Sequence, residues 1–229
     1  MRTSLITSLV LLSACVTASL SAKEDAAERL DASADLLTDM MKASDRGVPQ
    51  DLLNKARCVI LVPGLKKAAF VVGAKYGRGF AVCRHEDGNG WSAPASIRIE
   101  GGSFGVQIGG SEQDVLLLVM NNTGMKHLLS NKFTMGGEAT VAAGPVGRDV
   151  SAQTDAVMRA EMLSYSRSRG LFAGISLQGA SLRPDEEANR ELYGGDTSNK
   201  EILTGSVKTP AAADKMEMLL NKNSHRQTR

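Results

Sequence analysis

The sequence predicts an α+β domain: a curved antiparallel or barrel-like β-sheet with an N-terminal amphipathic helix and short C-terminal helices. Apolar residues recur at helical spacing before about residue 45, at strand spacing through the middle of the chain, and at helical spacing again near the C-terminus. The strand-type runs are short and closely spaced, the pattern of an antiparallel sheet that curls or closes. Glycine is abundant, 23 residues against 6 prolines, which suits tight turns and close backbone contacts.

Taken in order, residues 24–44 place Leu30, Ala34, Leu37 and Met41 on one helical face. A second short helix starts after Val48, with Pro49 in its first turn and Leu52 and Leu53 inward, and ends near the apolar run Val59-Ile60-Leu61-Val62-Pro63. Ala69-Phe70-Val71-Val72 and Gly79-Phe80-Ala81-Val82 are short β-type runs, and Asp87-Gly88-Asn89-Gly90 is a turn signal before Trp91. Ala95–Ile99, Phe104–Ile108 and Val115–Val119 continue the strands. Met125–Leu129 reads as a short helix over one end, and Thr140–Ala143, a segment ending near Tyr165, and Leu171–Leu177 supply further strands. Helical signals return at Asp185–Leu192, Lys200–Leu203 and Ala211–Leu220, before a polar tail.

A chain of 229 residues suits one domain of ordinary size. Its formal net charge of +2 does not predict nucleic-acid binding by bulk electrostatics, so an anion site must be local. Arg2 followed by the apolar run Leu5–Leu12 reads as an export signal, too short to span a bilayer permanently. Two processing readings stand side by side. Leu12-Ser13-Ala14-Cys15 fits lipoprotein cleavage with lipidation of Cys15, whereas ordinary signal peptidase would cut after Ala18 or Ala22. The expected organisation is a signal over residues 1–22, a domain over 23–212, and a helix end with polar tail over 213–229. Export leaves Cys58 and Cys83 as an even pair in an oxidising compartment, to be read as a disulfide or as two small buried hydrophobes.

No cofactor or metal is expected. Gly101-Gly102-Ser103-Phe104-Gly105 satisfies G-x-S-x-G, but a nucleophile elbow needs a helix after the serine, and Val106-Gln107-Ile108 alternates like a strand. His85-Glu86-Asp87 has no second cluster at zinc spacing, and there is neither a Walker loop nor G-x-G-x-x-G. Basic residues recur in the β region: Lys66 and Lys67 precede one strand, Lys75 and Arg78 flank the next turn, and Arg148, Arg167 and Arg169 follow. In an extended segment Arg167 and Arg169 share a face, and the guanidinium fork suits phosphate oxygens. The alternative for these charges is a solvated strand edge guarded against aggregation.

Gly144-Pro145-Val146-Gly147-Arg148 and Ser164-Tyr165-Ser166-Arg167-Ser168-Arg169-Gly170-Leu171-Phe172-Ala173-Gly174-Ile175-Ser176-Leu177 resemble the core signature of the SYLF domain family. Ala68–Gly73, Lys75-Tyr76-Gly77-Arg78-Gly79, Gly90–Pro94 and Gly102–Gly109 follow in the family's order, so the resemblance runs from about Leu30 to about Pro210. It implies a non-catalytic module binding lipid or phospholipid headgroups of the phosphoinositide kind, which the export signal would place in a bacterial envelope as an exported, periplasmic or lipid-anchored member. It also implies lipid-binding roles for Arg148, Arg167, Arg169, Lys75, Arg78, Lys66 and Lys67. A phospholipid or membrane surface is then the expected partner, and the eukaryotic branch adds actin-binding proteins. Relatives use an N-terminal amphipathic segment on membranes, but here Glu24, Asp25, Glu28, Asp31, Asp35 and Asp39 outnumber Lys23, Arg29 and Lys42. An anionic surface repels such a helix, so its Leu and Met face is expected to pack on the sheet. The alternative function is a structural or protein-interaction module of the envelope without lipid specificity.

Overall fold

The computed structural model describes residues 25–42, 47–70, 72–104, 109–146, 159–168, 171–205 and 207–224. The expected signal over residues 1–22, Cys15, Arg148 and Arg169 lie outside the described residues.

The domain is α+β. Strands β1 (Cys58–Phe70), β2 (Val72–Cys83), β3 (Ala95–Phe104), β4 (Gly109–Val119), β5 (Phe133–Thr134), β6 (Val141–Ala143), β7 (Met162–Ser168), β8 (Leu171–Gly174) and β9 (Ala180–Pro184) form one curled, half-barrel sheet. Its order is β5-β9-β3-β2-β1-β4-β7-β6, with β8 also on β7. All pairings are antiparallel except β6 with β7.

Both faces of the sheet are apolar, which explains continuous apolar runs rather than strict alternation in β1 and β4. Cys58, Ile60, Val62 and Leu65 pack with Ile97, Ile99, Val115 and Leu117 under α3 (Asn122–Leu128). Val59, Leu61, Phe80, Leu116 and Tyr165 pack on the other face under α1 (Ala26–Lys42) and α2 (Gln50–Lys55). On α1, Leu30, Ala34 and Leu37 are buried as their spacing predicts, while Met40 rather than Met41 completes the inner face. The acidic face of α1 turns outward, and Lys215 holds it through Asp31 and Asp35 at 2.9 Å each. After β9 come α4 (Glu186–Tyr193), α5 (Asn199–Leu203) and α6 (Asp214–Asn223). Ser198 and Glu201 form a capping box on α5.

Several elements differ from the sequence reading. Val59–Pro63 is not the approach to a helix end but the body of β1, which starts at Cys58. A short apolar run buried on both faces carries no period that separates strand from helix. Phe104 closes β3, while residues 105–108 lie outside the described residues. The Leu171–Leu177 strand stops at Gly174. β4 begins at Gly109, well before Val115, and β9 and β5 have no counterpart in the sequence reading, because strands of five and two residues are too short to show a period. Cys58 and Cys83 are register partners in β1 and β2 and are joined by a disulfide.

One irregularity matters for function. The β1–β4 register shifts between Val62 and Leu65, where Gly64 takes φ 61°, a left-handed value that favours glycine. Asp114 Oδ1 accepts the Gly64 N–H at 3.0 Å. Through this bulge Val62 and Leu65, three apart, both face the core under α3, and Lys67 falls on that face as well.

Candidate functional site

Strand direction gathers one end of the molecule. β1 ends at Phe70, β2 starts at Val72, β3 ends at Phe104, β4 starts at Gly109, β7 ends at Ser168 and β8 starts at Leu171. Antiparallel pairing puts all six termini at the same rim, and β6, parallel to β7, delivers Val146 to that side. Leu171 is 66% exposed, Tyr76 48% and Val146 42%. Among the described residues, Met218 on α6 is the other large exposed hydrophobe.

The basic residues singled out in the sequence separate into two kinds. Arg167 is consumed by structure: its Nε and Nη2 donate to Asp114 Oδ2 at 3.0 and 2.7 Å, and its Nη1 donates to Asp39 of α1. Although burial opposes its charge, these carboxylates hold its proton affinity above the ordinary value. Arg78 is similarly engaged by the buried Asp185 carboxylate that caps α4. Lys66, Lys67 and Lys75 have no ion-pair partner among the described residues. Lys66 is exposed, opposite Tyr76 and Glu112. Lys67 and Lys75 are direct register partners, both partly buried. Burial lowers the Lys67 proton affinity, and Lys75 lowers it further.

Sequence reasoning missed a second basic group. Arg98, Lys132, Arg183 and Arg190 line a cleft of about 410 Å³ beside Glu186 and Glu187. Arg98 and Arg183 are register partners across β3 and β9, a relation that no sequence spacing encodes. Glu100 lies against both, 3.0 and 3.6 Å away, and Asp196 holds Arg190 at 2.7 Å. The cleft is thus close to electrically neutral. Ser103 lies on β3, and the next described element is strand β4 and not the helix that follows a nucleophile elbow. No cluster of three or more His, Cys, Asp or Glu suited to a metal occurs among the described residues.

The curled sheet, covered by helices on both faces, thus carries at one rim exposed aliphatic residues beside lysines that have no ion-pair partner among the described residues. Residues 100–223 match the family model described as Ysc84, the Las17-binding protein actin regulator, and the chain belongs to this Ysc84 (SYLF) family. It is 37% identical over 177 residues to an SH3 domain-containing protein of Schizosaccharomyces pombe, a match covering 76% of this chain and 41% of that protein. Protein YSC84 of Saccharomyces cerevisiae is 33% identical over 189 residues, covering 81% of this chain and 40% of the relative. SH3 domain-containing YSC84-like protein 1 of Homo sapiens is 34% identical over 178 residues, covering 77% and 52%. The chain therefore spans about half or less of the relatives' length. The family description is of a binding and regulatory protein, not of an enzyme.

Proposed function

We propose that the domain docks on anionic phospholipid surfaces through the rim carrying Lys66, Lys67, Lys75, Leu171 and Val146. The supporting observation is their convergence: exposed aliphatic residues at the same end as lysines that no described carboxylate neutralises. Aliphatic groups beside cations are the composition of a surface that meets the headgroup boundary of a bilayer. The acidic α1 is committed to the sheet and to α6, so it takes no part in this contact.

The test is flotation of the full chain with phosphatidylglycerol-containing and neutral vesicles. Wild type should float with anionic vesicles at low salt and release at high salt. Leu171→Asp with Val146→Asp should abolish flotation, while Met218→Asp, at an exposed apolar site on α6, should not. Equal flotation with neutral and anionic vesicles, or an unaffected rim variant, would overturn this reading.

A second reading has its own observation. β8 pairs with β7 alone among the described residues, and Leu171 and Ala173 on it are exposed. An open edge accepts an added peptide strand, and the family description names Las17 binding. Binding of a Las17-derived peptide that is lost on Ala173→Pro, with vesicle flotation unchanged, would favour this alternative.

A further inference from the structure

Across the sheet one register row reads Ser111, Lys67, Lys75, Gly101, from β4 through β1 and β2 to β3. Directly opposed residues of antiparallel strands share a face, with Cβ atoms roughly 5 Å apart. The face is the one under α3, because a Cβ at Gly77 would meet Leu65 and Val62 of that core. Two lysine side chains therefore leave the sheet side by side, flanked in the row by residues as small as serine and glycine. The nearest acidic positions, Glu112 and Glu100, belong to the adjacent row, Lys66 and Tyr76, whose side chains take the other face. Like charges directly opposed in a sheet destabilise it, and this pair has no described carboxylate between its members.

A further donor rises from the same face of the sheet. Gln113 lies opposite Leu65, one strand period from Ser111 and on the same face. Its Nε2 is buried without a hydrogen-bond partner among the described residues. An amide nitrogen left so loses hydrogen bonding to water with nothing in return. The lowered proton affinity of Lys67, caused first by burial and then by Lys75, is what a cation pair lacking its counter-ion shows.

We propose that Lys67 and Lys75, with Gln113 Nε2 and the Ser111 hydroxyl, form a site for a phosphomonoester dianion. Two ammonium groups match two negative charges, and the amide and hydroxyl add donors for the phosphoryl oxygens. The phosphate is that of a lipid headgroup or a free phosphate; the first source rests on the lipid-surface reading above, the second does not.

The experiment uses the full chain in two arms. In the first, inorganic phosphate is titrated at constant ionic strength while thermal melting is followed, with chloride as control. Wild type should gain several degrees in Tm, since a ligand bound only to the folded state raises stability by mass action. Lys67→Met with Lys75→Met should show no gain, and without phosphate should melt no lower than wild type because the repulsion is gone. If that double variant does not fold, Lys75→Met alone carries the same comparison. In the second arm, vesicles containing phosphatidic acid, a phosphomonoester, are compared with phosphatidylglycerol vesicles of equal surface charge. A preference of about tenfold for phosphatidic acid, lost in the lysine variant, assigns the site to lipid. A phosphate-dependent gain without that preference assigns it to free phosphate. Absence of both in folded wild type overturns the site, even if wild type floats equally with both vesicles and the rim docking stands.

Discussion

Arg167 and Asp114 face each other in the β4–β7 register and are joined by two hydrogen bonds to a single carboxylate oxygen, Asp114 Oδ2. The other oxygen of Asp114 accepts the Gly64 N–H at the β1 bulge, and Asp39 brings α1 to the same guanidinium. Asp114 therefore ties together the bulge that orients Lys67 and the strand that carries Arg167. Both side chains are partly exposed, at 26% and 22%, so solvent screening reduces what the ion pair contributes. Asp114→Ala should cost about 1–3 kcal/mol, more than Arg167→Met, because it also strands a backbone donor. Urea denaturation of both variants checks the order, and an equal loss would show that the bulge does not depend on Asp114.

The same pairing means that Arg167 serves architecture before binding. Arg167→Glu would place a carboxylate against Asp114 and Asp39, and it should lower the melting temperature before any lipid effect is read. Lys66→Gln, at an exposed position opposite Glu112 and Tyr76, should weaken flotation with anionic vesicles without changing the melt. A folded Arg167→Glu protein with wild-type Tm but reduced flotation would return Arg167 to the contact surface.

The helical face of α1 is legible in the sequence because its period reports which residues are buried, whereas the start of β1, apolar on both faces, carries no period and reads only as buried. The roles of individual charges are not legible. Arg167 lies 53 residues from Asp114 and 128 from Asp39, and only the strand order brings them together. Lys67 illustrates the limit more sharply. Plain alternation from Val62 would send it to the opposite face, and only the extra residue at the Gly64 bulge turns it beside Lys75. Conversely, the 105–108 segment and the Arg148 and Arg169 positions lie outside the described residues.

The bulge has a steric counterpart in Gly79. A Cβ there would lie 2.0 Å from Leu61 O and 2.8 Å from Val62 Cα, both backbone atoms that cannot rotate away. Gly79→Ala should lower stability by about 4 kcal/mol or more, as overpacking against main chain does when no rotamer relieves it. Gly102→Ala, whose nearest contact would be 3.9 Å away, should be close to neutral. Soluble expression and circular-dichroism melts of the pair separate them. A wild-type melt for Gly79→Ala would mean that β1 and β2 can part there.

Cys58 and Cys83 close a loop at sequence separation 25, and in the chain-entropy model such a cross-link contributes about 3 kcal/mol by restricting the unfolded chain. The strands are already hydrogen-bonded neighbours and both sulfurs sit in the core under α3 with Met125. Cys58→Ala with Cys83→Ala should therefore fold to the same sheet but unfold at lower urea. Unreduced peptide mass spectrometry of protein folded under oxidising conditions should show the linked pair. Free thiols at both positions would remove this contribution.

Tyr165 offers a prediction with a sign in pH. The ring is buried against Gly144, where a Cβ would come within 2.1 Å of Cζ, and its hydroxyl has no hydrogen-bond partner among the described residues. Burial raises the phenol's pKa above its ordinary value near 10. Below that value both folded and unfolded chains keep the proton, so the difference adds no pH dependence. As pH rises past about 10, the unfolded phenol ionises while the native one does not, and stability falls by at most about 1.4 kcal/mol per pH unit until the native pKa is reached. Tyr193 adds to the alkaline loss, since burial raises it too and its hydroxyl donates to Pro94 O at 2.7 Å. Tyr165→Phe removes only the first contribution. At about pH 8 it should change stability by less than about 1 kcal/mol, because the lost hydroxyl satisfied no partner. At about pH 11 it should be the more stable protein relative to wild type, in proportion to the ionisation it avoids. Urea denaturation of both proteins at the two pH values measures this double difference. A loss of more than about 2 kcal/mol at pH 8, with no relative gain at pH 11, would show that the buried hydroxyl holds a partner and works as a structural hydrogen bond.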